Sequence, residues 1–340
     1  MTATQLSARA EHFRAGLVFA VASAFTFALS GPLAKPLMDA GWTPTAAVTA
    51  RMAGGALVMA VFATLVRPEW IREAVAHRRT VLAYGLVPVA GAQLCYYNAV
   101  AHLSVGVALL LEYTAPVLVV AWLWATTRHR PTTMTLAGVG LAIAGITLVL
   151  DVFSGTHINA VGVVWALAAA ICAACYFMMS DEVSADSSEE GSLNSLTLAA
   201  GGLIVGAAAV GLLGVVGVVP LAFTTNDTVI AGWTTPWFVP VIALAVIPTA
   251  IAYTLGIMGI ARLRPRFASL VGLAEVMFAV VAAWILLGQA ITATQAVGGA
   301  IVLVGLALAR QGDRSEKVAA ATWPDAGPAE ELTSGCGANR

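Results

Sequence analysis

From Gly16 to Ala309 the chain is a succession of apolar runs of helical length, separated by short stretches that are polar or rich in helix breakers. A run of about 20 apolar residues is long enough to cross a bilayer as a helix. Such runs fall at 16–38, 44–66, 80–101, 104–126, 133–151, 159–180, 194–221, 233–260, 267–288 and 291–309. The pattern predicts an all-α polytopic membrane protein with about ten transmembrane helices. The joints are "VRPEWIREAVAHRRT", "TTRHRPT", "SDEVSADSSEEGS" and "RLRPRF", all rich in charge or turn-forming residues. Residues 1–15 are polar, and the apolar run after them is too long for a secretory leader and lacks a cleavage motif, so it reads as the first span. Beyond Arg310 the composition turns to Glu, Pro, Ala and Gly, and a short disordered cytoplasmic tail over 311–340 is expected.

Composition agrees. The 340 residues are 59% hydrophobic and only 10% charged, against roughly 25% charged in an ordinary soluble domain, and the mean hydropathy is +0.87. The net charge of −1 matters less than where the charges sit. With a cytoplasmic N terminus, ten spans put Arg9, Arg14, Arg67, Arg72, Arg78, Arg79, Arg128, Arg130, Arg262, Arg264, Arg266, Arg310, Arg314, Lys317 and Arg340 on the cytoplasmic side. Only Lys35 and Arg51 remain, and both fall within predicted helices. This positive-inside pattern predicts a multi-pass protein of the bacterial inner or plasma membrane with both termini cytoplasmic. The acidic "DEVSADSSEE" loop on the same side does not oppose it, because acidic residues contribute little to the rule.

The halves of the chain resemble each other. An offset of 160 pairs Pro88 with Pro248, Ala90 with Ala250, Leu103 with Leu263, Ala108 with Ala268, Gly138 with Gly298 and Gly145 with Gly305. An offset of 146 pairs "GLVFAVASA" from Gly16 with "GVVWALAAA" from Gly162, so about 14 extra residues lie between the sixth and eighth spans. Each half holds five helices, an odd number, so the second copy enters the membrane inverted. Such five-plus-five inverted-topology repeats occur in transporters, whose substrate sites lie near the midplane between the repeats.

The segments "YNAVAHLSVGVALLLEYTAPVLVVAWLW" with "LAGVGLAIAGITLVL", and "GIARLRPRFASLVGLAEVMFAVVAAWILLGQ" with "AVGGAIVLVGLALA", resemble the two copies of the EamA domain of the drug/metabolite transporter superfamily. The resemblance spans about 14–310, with a first repeat at 16–151 and a second at 159–310. It implies a ten-helix carrier that exports or exchanges small metabolites, often amino acids, by alternating access. Two departures stand out. Where such domains often end the fourth and ninth helices with a carboxylate, this chain has His129 and Gln289. Pro116 matches the usual fourth-helix proline, but the ninth has "AEVMF", with Glu275 near the equivalent position.

Three charged residues fall deep in the spans. An ionisable group near the bilayer centre costs about 2.5–3.5 kcal/mol on insertion scales and calls for a partner or a task. At about 1.5 Å per residue, Glu112 and Arg51 lie about 12 Å and 10 Å below the outer surface, nearly level. Pairing of Arg51 with Glu112 would leave Glu275, about 12 Å in from the cytoplasmic side, without a cation and able to exchange a proton. The expectation is a midplane cavity with Arg51 and Glu112 as a charged wall and Glu275 titrating. The competing expectation is a structural Arg51–Glu112 pair that fixes helix packing and a Glu275 that is permanently protonated or hydrogen-bonded to backbone. Gln93, Tyr97, Asn98, Tyr113, Tyr176 and Tyr253 are the amide and aromatic candidates for lining it, although a tyrosine inside a span is more often core or interfacial belt.

Other chemistry is not signalled. Cys172 and Cys175 form a "CAAC" with no second ligand pair, and the five histidines show no HExxH or other paired spacing. No metal site, cofactor or enzyme activity is expected, and without a phosphate-cradling Gly-rich Lys motif neither is ATP-driven transport. The expected partners are a small-molecule substrate, lipid and coupling protons, with no nucleic acid; a homodimer stays open. The reading is a secondary active exporter of small metabolites such as amino acids. The alternatives are efflux of cationic or drug-like compounds and, in a different class, a channel or a membrane scaffold.

Overall fold

The computed structural model describes residues 3–128, 130–150, 159–186, 193–260 and 265–322. Ten helical spans follow one another within them. The first is α1 (Ala3–Ala28) with α2 (Ser30–Asp39), the second α3 (Pro44–Val66), and a short α4 (Trp70–Ala76) leads to the third. The third joins α5 (Arg78–Tyr84) to α6 (Ala92–His102) through a π turn at Gly85–Gly91, and the fourth is α7 (Val105–Glu112) with α8 (Ala115–Thr127). The fifth to seventh are α9 (Thr133–Val149), α10 (Ala160–Asp186) and α11 (Ser195–Val215). The eighth joins α12 (Phe238–Ala245) to α13 (Ala252–Ile260) through a π turn at Val246–Ile251. The ninth and tenth are α14 (Pro265–Leu287) and α15 (Ala293–Thr322).

Local chemistry accounts for the starts and breaks. Thr43 caps α3 by accepting from Ala46 N, with Pro44 in the first turn, and Asn194 caps α11 by accepting from Leu196 N at 2.9 Å. The expected single helix at 104–126 is broken at Tyr113–Thr114, immediately before Pro116 in the first turn of α8, because a proline cannot donate to the preceding turn. The two π turns hold Pro88 and Pro248, and lie at equivalent places in the repeats. At the end of the chain α15 runs on to Thr322, past Arg310 and into the stretch expected as disordered tail.

The repeat is visible in the packing. The second span lies against the seventh and the fifth against the tenth, while the first lies against the eighth and ninth as the sixth does against the third and fourth. Individual contacts exchange between copies. A Cβ on Gly54 would come 2.5 Å from Ala245, and one on Gly85 would come 2.6 Å from Val205. The fifth and tenth spans cross at bare backbone: a Cβ on Gly145 would lie 2.7 Å from Gly298 O, and one on Gly298 would lie 2.8 Å from Gly145 O. Close approach through small residues is how helices associate in lipid, where no hydrophobic effect drives them together. Side chains turned outward, such as Leu57, Val61, Val164, Leu212 and Trp284, are apolar, as lipid requires.

The extra residues of the second half also find their place. The offset is 146 from Gly16 to Gly162, 151 between the caps Thr43 and Asn194, and 160 between Pro88 and Pro248. Nine of the added residues therefore lie between Asn194 and Pro248, which includes the loop at 216–237. That loop carries an antiparallel hairpin, β1 (Thr228–Ile230) with β2 (Trp233–Thr235), that the sequence reading did not anticipate. Its two-residue turn, Ala231–Gly232, has φ of 52° and 80°, positive at both positions as a tight hairpin turn requires, without the usual Asn-Gly or Asp-Gly signal. The loop is clamped to the turn between the first two spans: Thr43 N donates to Ala222 O at 2.9 Å and Trp42 Nε1 to Thr224 O at 2.8 Å. Arg67, Arg72, Arg78, Arg79, Arg128 and Arg130 gather at the opposite, arginine-rich end.

Candidate functional site

The site begins with a missing hydrogen. Pro248 has no N–H to give the carbonyl of Leu244, and the Thr249 hydroxyl donates to that carbonyl instead, at 2.9 Å. The hydroxyl oxygen then accepts from Arg51 Nε at 3.1 Å, and the Pro248 carbonyl accepts from Arg51 Nη2 at 3.0 Å. Nη1 of Arg51 donates to Ser30 Oγ at 2.7 Å, to Gln93 Oε1, and to Tyr97 OH at 3.4 Å. The Tyr97 ring centroid lies 5.8 Å from Cζ of Arg51, within cation–π range. Arg51 is 3% exposed, and its neutral oxygen shell replaces the water such a cation loses on burial. One guanidinium thus joins the first, second, third and eighth spans.

This corrects the expected charged wall. Arg51 and Glu112 are not ion-paired; among the described residues the ion pairs are Lys35 with Asp39 and Arg67 with Glu73. The reason is topological, because the Pro248 π turn supplies acceptors to Arg51 that depth along a helix does not reveal. Glu112 is the last residue of α7, half-buried, and takes no hydrogen bond or ion pair among the described residues. On the facing ninth span, half-buried Glu275 accepts from Tyr113 OH at 2.6 Å. The two carboxylates lie within electrostatic range of each other and of Arg51. Tyr96, beside Tyr97, is buried next to them, and its hydroxyl fills the space at Gly31, where a Cβ would come 2.6 Å from it.

The remaining candidates divide. Gln93 and Tyr97 belong to the Arg51 cluster, and Tyr113 to the carboxylates. Asn98 Nδ2 donates to Leu94 O of its own helix at 2.7 Å, and Tyr253 packs edge-on against Phe27 at 5.1 Å. The side chain of Tyr176, like His129, lies outside the described residues. Gln289, standing where the family often has a carboxylate, accepts from Val105 N at 3.2 Å and so caps α7 from the other repeat. Ser30 and Thr249 were missed in the sequence. The available signals were a hydroxyl directly after Pro248 and one directly before Gly31-Pro32, both weak. Among the described residues no three His, Cys, Asp or Glu side chains group as metal ligands.

A second polar knot pins the arginine-rich end. Glu73 of α4 accepts from Asn194 N at 2.6 Å and Thr197 Oγ1 at 2.8 Å, and pairs with Arg67 Nε at 3.1 Å. It thereby satisfies free donors in the first turn of α11, where a carboxylate is favoured. Burial raises the carboxyl, but the Asn194 N–H, the Thr197 hydroxyl, Arg67 and His77 outweigh this and hold it below its ordinary 4.5.

The comparisons agree with this architecture. A model described as the EamA-like transporter family matches residues 14–151 and 160–311. The threonine/homoserine exporter RhtA of Salmonella typhimurium is 29% identical over 267 residues, covering 77% of this chain and 80% of that protein. The RhtA of Escherichia coli K12 is 28% identical over 279 residues, covering 81% and 84%. A crystal structure that shares 20% identity superposes with a TM-score of 0.56 over 88% of this chain and 98% of its own, a likeness of fold. With two repeats of five spans meeting at a polar midplane, and a family match across nearly all the membrane region, the chain belongs to the EamA-like transporter family.

Proposed function

We propose that the protein is a secondary active exporter of small amino acids, working by alternating access and coupled to protons through Glu112 and Glu275. The observation that carries this is the pair of midplane carboxylates on facing spans, Glu275 accepting from Tyr113 and neither of them ion-paired among the described residues. Because Arg51 is committed to neutral oxygens, the open charge at the midplane is negative. A substrate ammonium and protons are then alternative occupants of the same oxygens, which is the competition that exchange requires. The relatives' activity, threonine and homoserine export, supports the substrate class and the direction. The arginine-rich end supports a cytoplasmic location for both termini.

The test is efflux of a pool of radiolabelled amino acids from proteoliposomes, with and without an imposed pH gradient, for wild type, Glu275→Gln and Tyr113→Phe. Gradient-stimulated efflux by wild type, lost in Glu275→Gln and reduced in Tyr113→Phe, is expected. Equal gradient dependence in wild type and Glu275→Gln would remove the coupling role. A second reading, efflux of cationic compounds, rests on the same two midplane carboxylates; a pool that fails to move while a quaternary amine does would favour it.

A further inference from the structure

A cleft of about 400 Å³ opens at the far end of the bundle, away from Arg51, between α2, the β1–β2 hairpin and the end of α14. Its polar wall is Lys35 and Asp39, one turn apart on α2, with Nζ and Oδ1 2.9 Å apart. Opposite stand Ala231 and Gly232 of the hairpin and Gly288 and Gln289 after α14. Ala231 N donates to Leu286 O at 2.8 Å, which fixes the hairpin as a wall of the cleft. Gly232 and Gly288 both have positive φ, and no atom lies within 4 Å of where a Cβ would stand on either.

We propose that this cleft is a second, exit-side binding site for a zwitterionic amino acid. The inference rests on the proposed function for the direction of transport and the class of substrate, and adds a place and a recognition chemistry. An α-amino acid brings one ammonium and one carboxylate. Lys35 takes the carboxylate and Asp39 the ammonium, each exchanging its present partner for the ligand's. The exchange replaces one ion pair by two, and with the Lys35 side chain 22% and that of Asp39 60% exposed both charges stay within reach of solvent while they change partners. The negative end of α14 also favours the ammonium. A simple amine or a simple carboxylate would occupy one member of the pair and leave the other without its counterion, so the cleft selects zwitterions. Ile285 and Val229 offer apolar surface to a short side chain, and a cleft of this volume has ample room for threonine or homoserine.

The experiment is equilibrium binding of tritiated L-threonine and L-homoserine to the full-length detergent-purified protein. It compares wild type, Lys35→Gln, Asp39→Asn, Lys35→Arg and Glu275→Gln, with ethanolamine and lactate as competitors. The expected result is two bound molecules per chain in wild type. Lys35→Gln and Asp39→Asn should each weaken one of them about tenfold or more, with Lys35→Arg restoring it, while Glu275→Gln removes the other. Wild-type stoichiometry in both Lys35→Gln and Asp39→Asn would overturn the cleft and leave the midplane reading standing. Loss in those two variants but not in Glu275→Gln would support the cleft and defeat the midplane reading. Ethanolamine or lactate displacing the cleft-bound ligand as well as homoserine does would overturn the zwitterion assignment, and no binding of either amino acid would overturn both proposals.

Discussion

Substituting Gly145 by alanine tests the geometry on which the repeat depends. The new Cβ would stand 2.7 Å from Gly298 O and from Val302 N, whereas ordinary contact begins at 3.4 Å. The deficit is about 0.7 Å. Both opposing atoms are helix backbone, so no side-chain rotation relieves the clash and the fifth and tenth spans must separate. Overpacking of this kind costs about 1–3 kcal/mol, and separation also loosens the equivalent crossing at Gly138 and Gly305. Gly140 on the same helix is the control: it is exposed, with no atom within 4 Å of a Cβ there, and alanine should stabilise the helix by about 0.5–1 kcal/mol. The two variants should therefore differ by about 1.5–4 kcal/mol in unfolding of the micelle-embedded protein by a denaturing detergent, read by tryptophan fluorescence. If Gly145→Ala unfolds at or above wild type, or if the two shift alike, the backbone crossing is not as described.

Glu73 predicts a pH dependence. Its folded carboxyl is held below 4.5, so its contribution is present above that value and is lost as pH falls through the lower folded one. The stability gap between wild type and Glu73→Gln, followed by melting across a pH series, should be steady near neutrality and close in acid; a gap that widens in acid would contradict the assignment. At the Pro248 π turn, Thr249→Val leaves the Leu244 carbonyl and Arg51 Nε each short of a partner. A loss of about 1–3 kcal/mol is expected, with Thr249→Ser close to wild type; equal stability of the two would remove Thr249 from the cluster.

The sequence by itself determined the class of fold. Apolar runs of spanning length, arginines confined to one set of joints, and glycines and prolines recurring at offset 160 follow from what a bilayer demands of any chain within it, and each is local or periodic. The inverted repeat was legible for the same reason, as was the weight to give Arg51, Glu112 and Glu275, since charge inside an apolar run is conspicuous. Which of these charges meet was decided only by the tertiary structure. Depth makes Arg51 and Glu112 level, but the guanidinium turns to Thr249 and Pro248, 198 and 197 residues away, because a proline had disturbed the ladder there. Helix rotation and crossing set such contacts, and neither is encoded in a linear hydropathy pattern. The hairpin was hidden likewise: three-residue strands carry too little alternation to register, and their meaning comes from docking on α14 to wall the cleft beside Lys35 and Asp39.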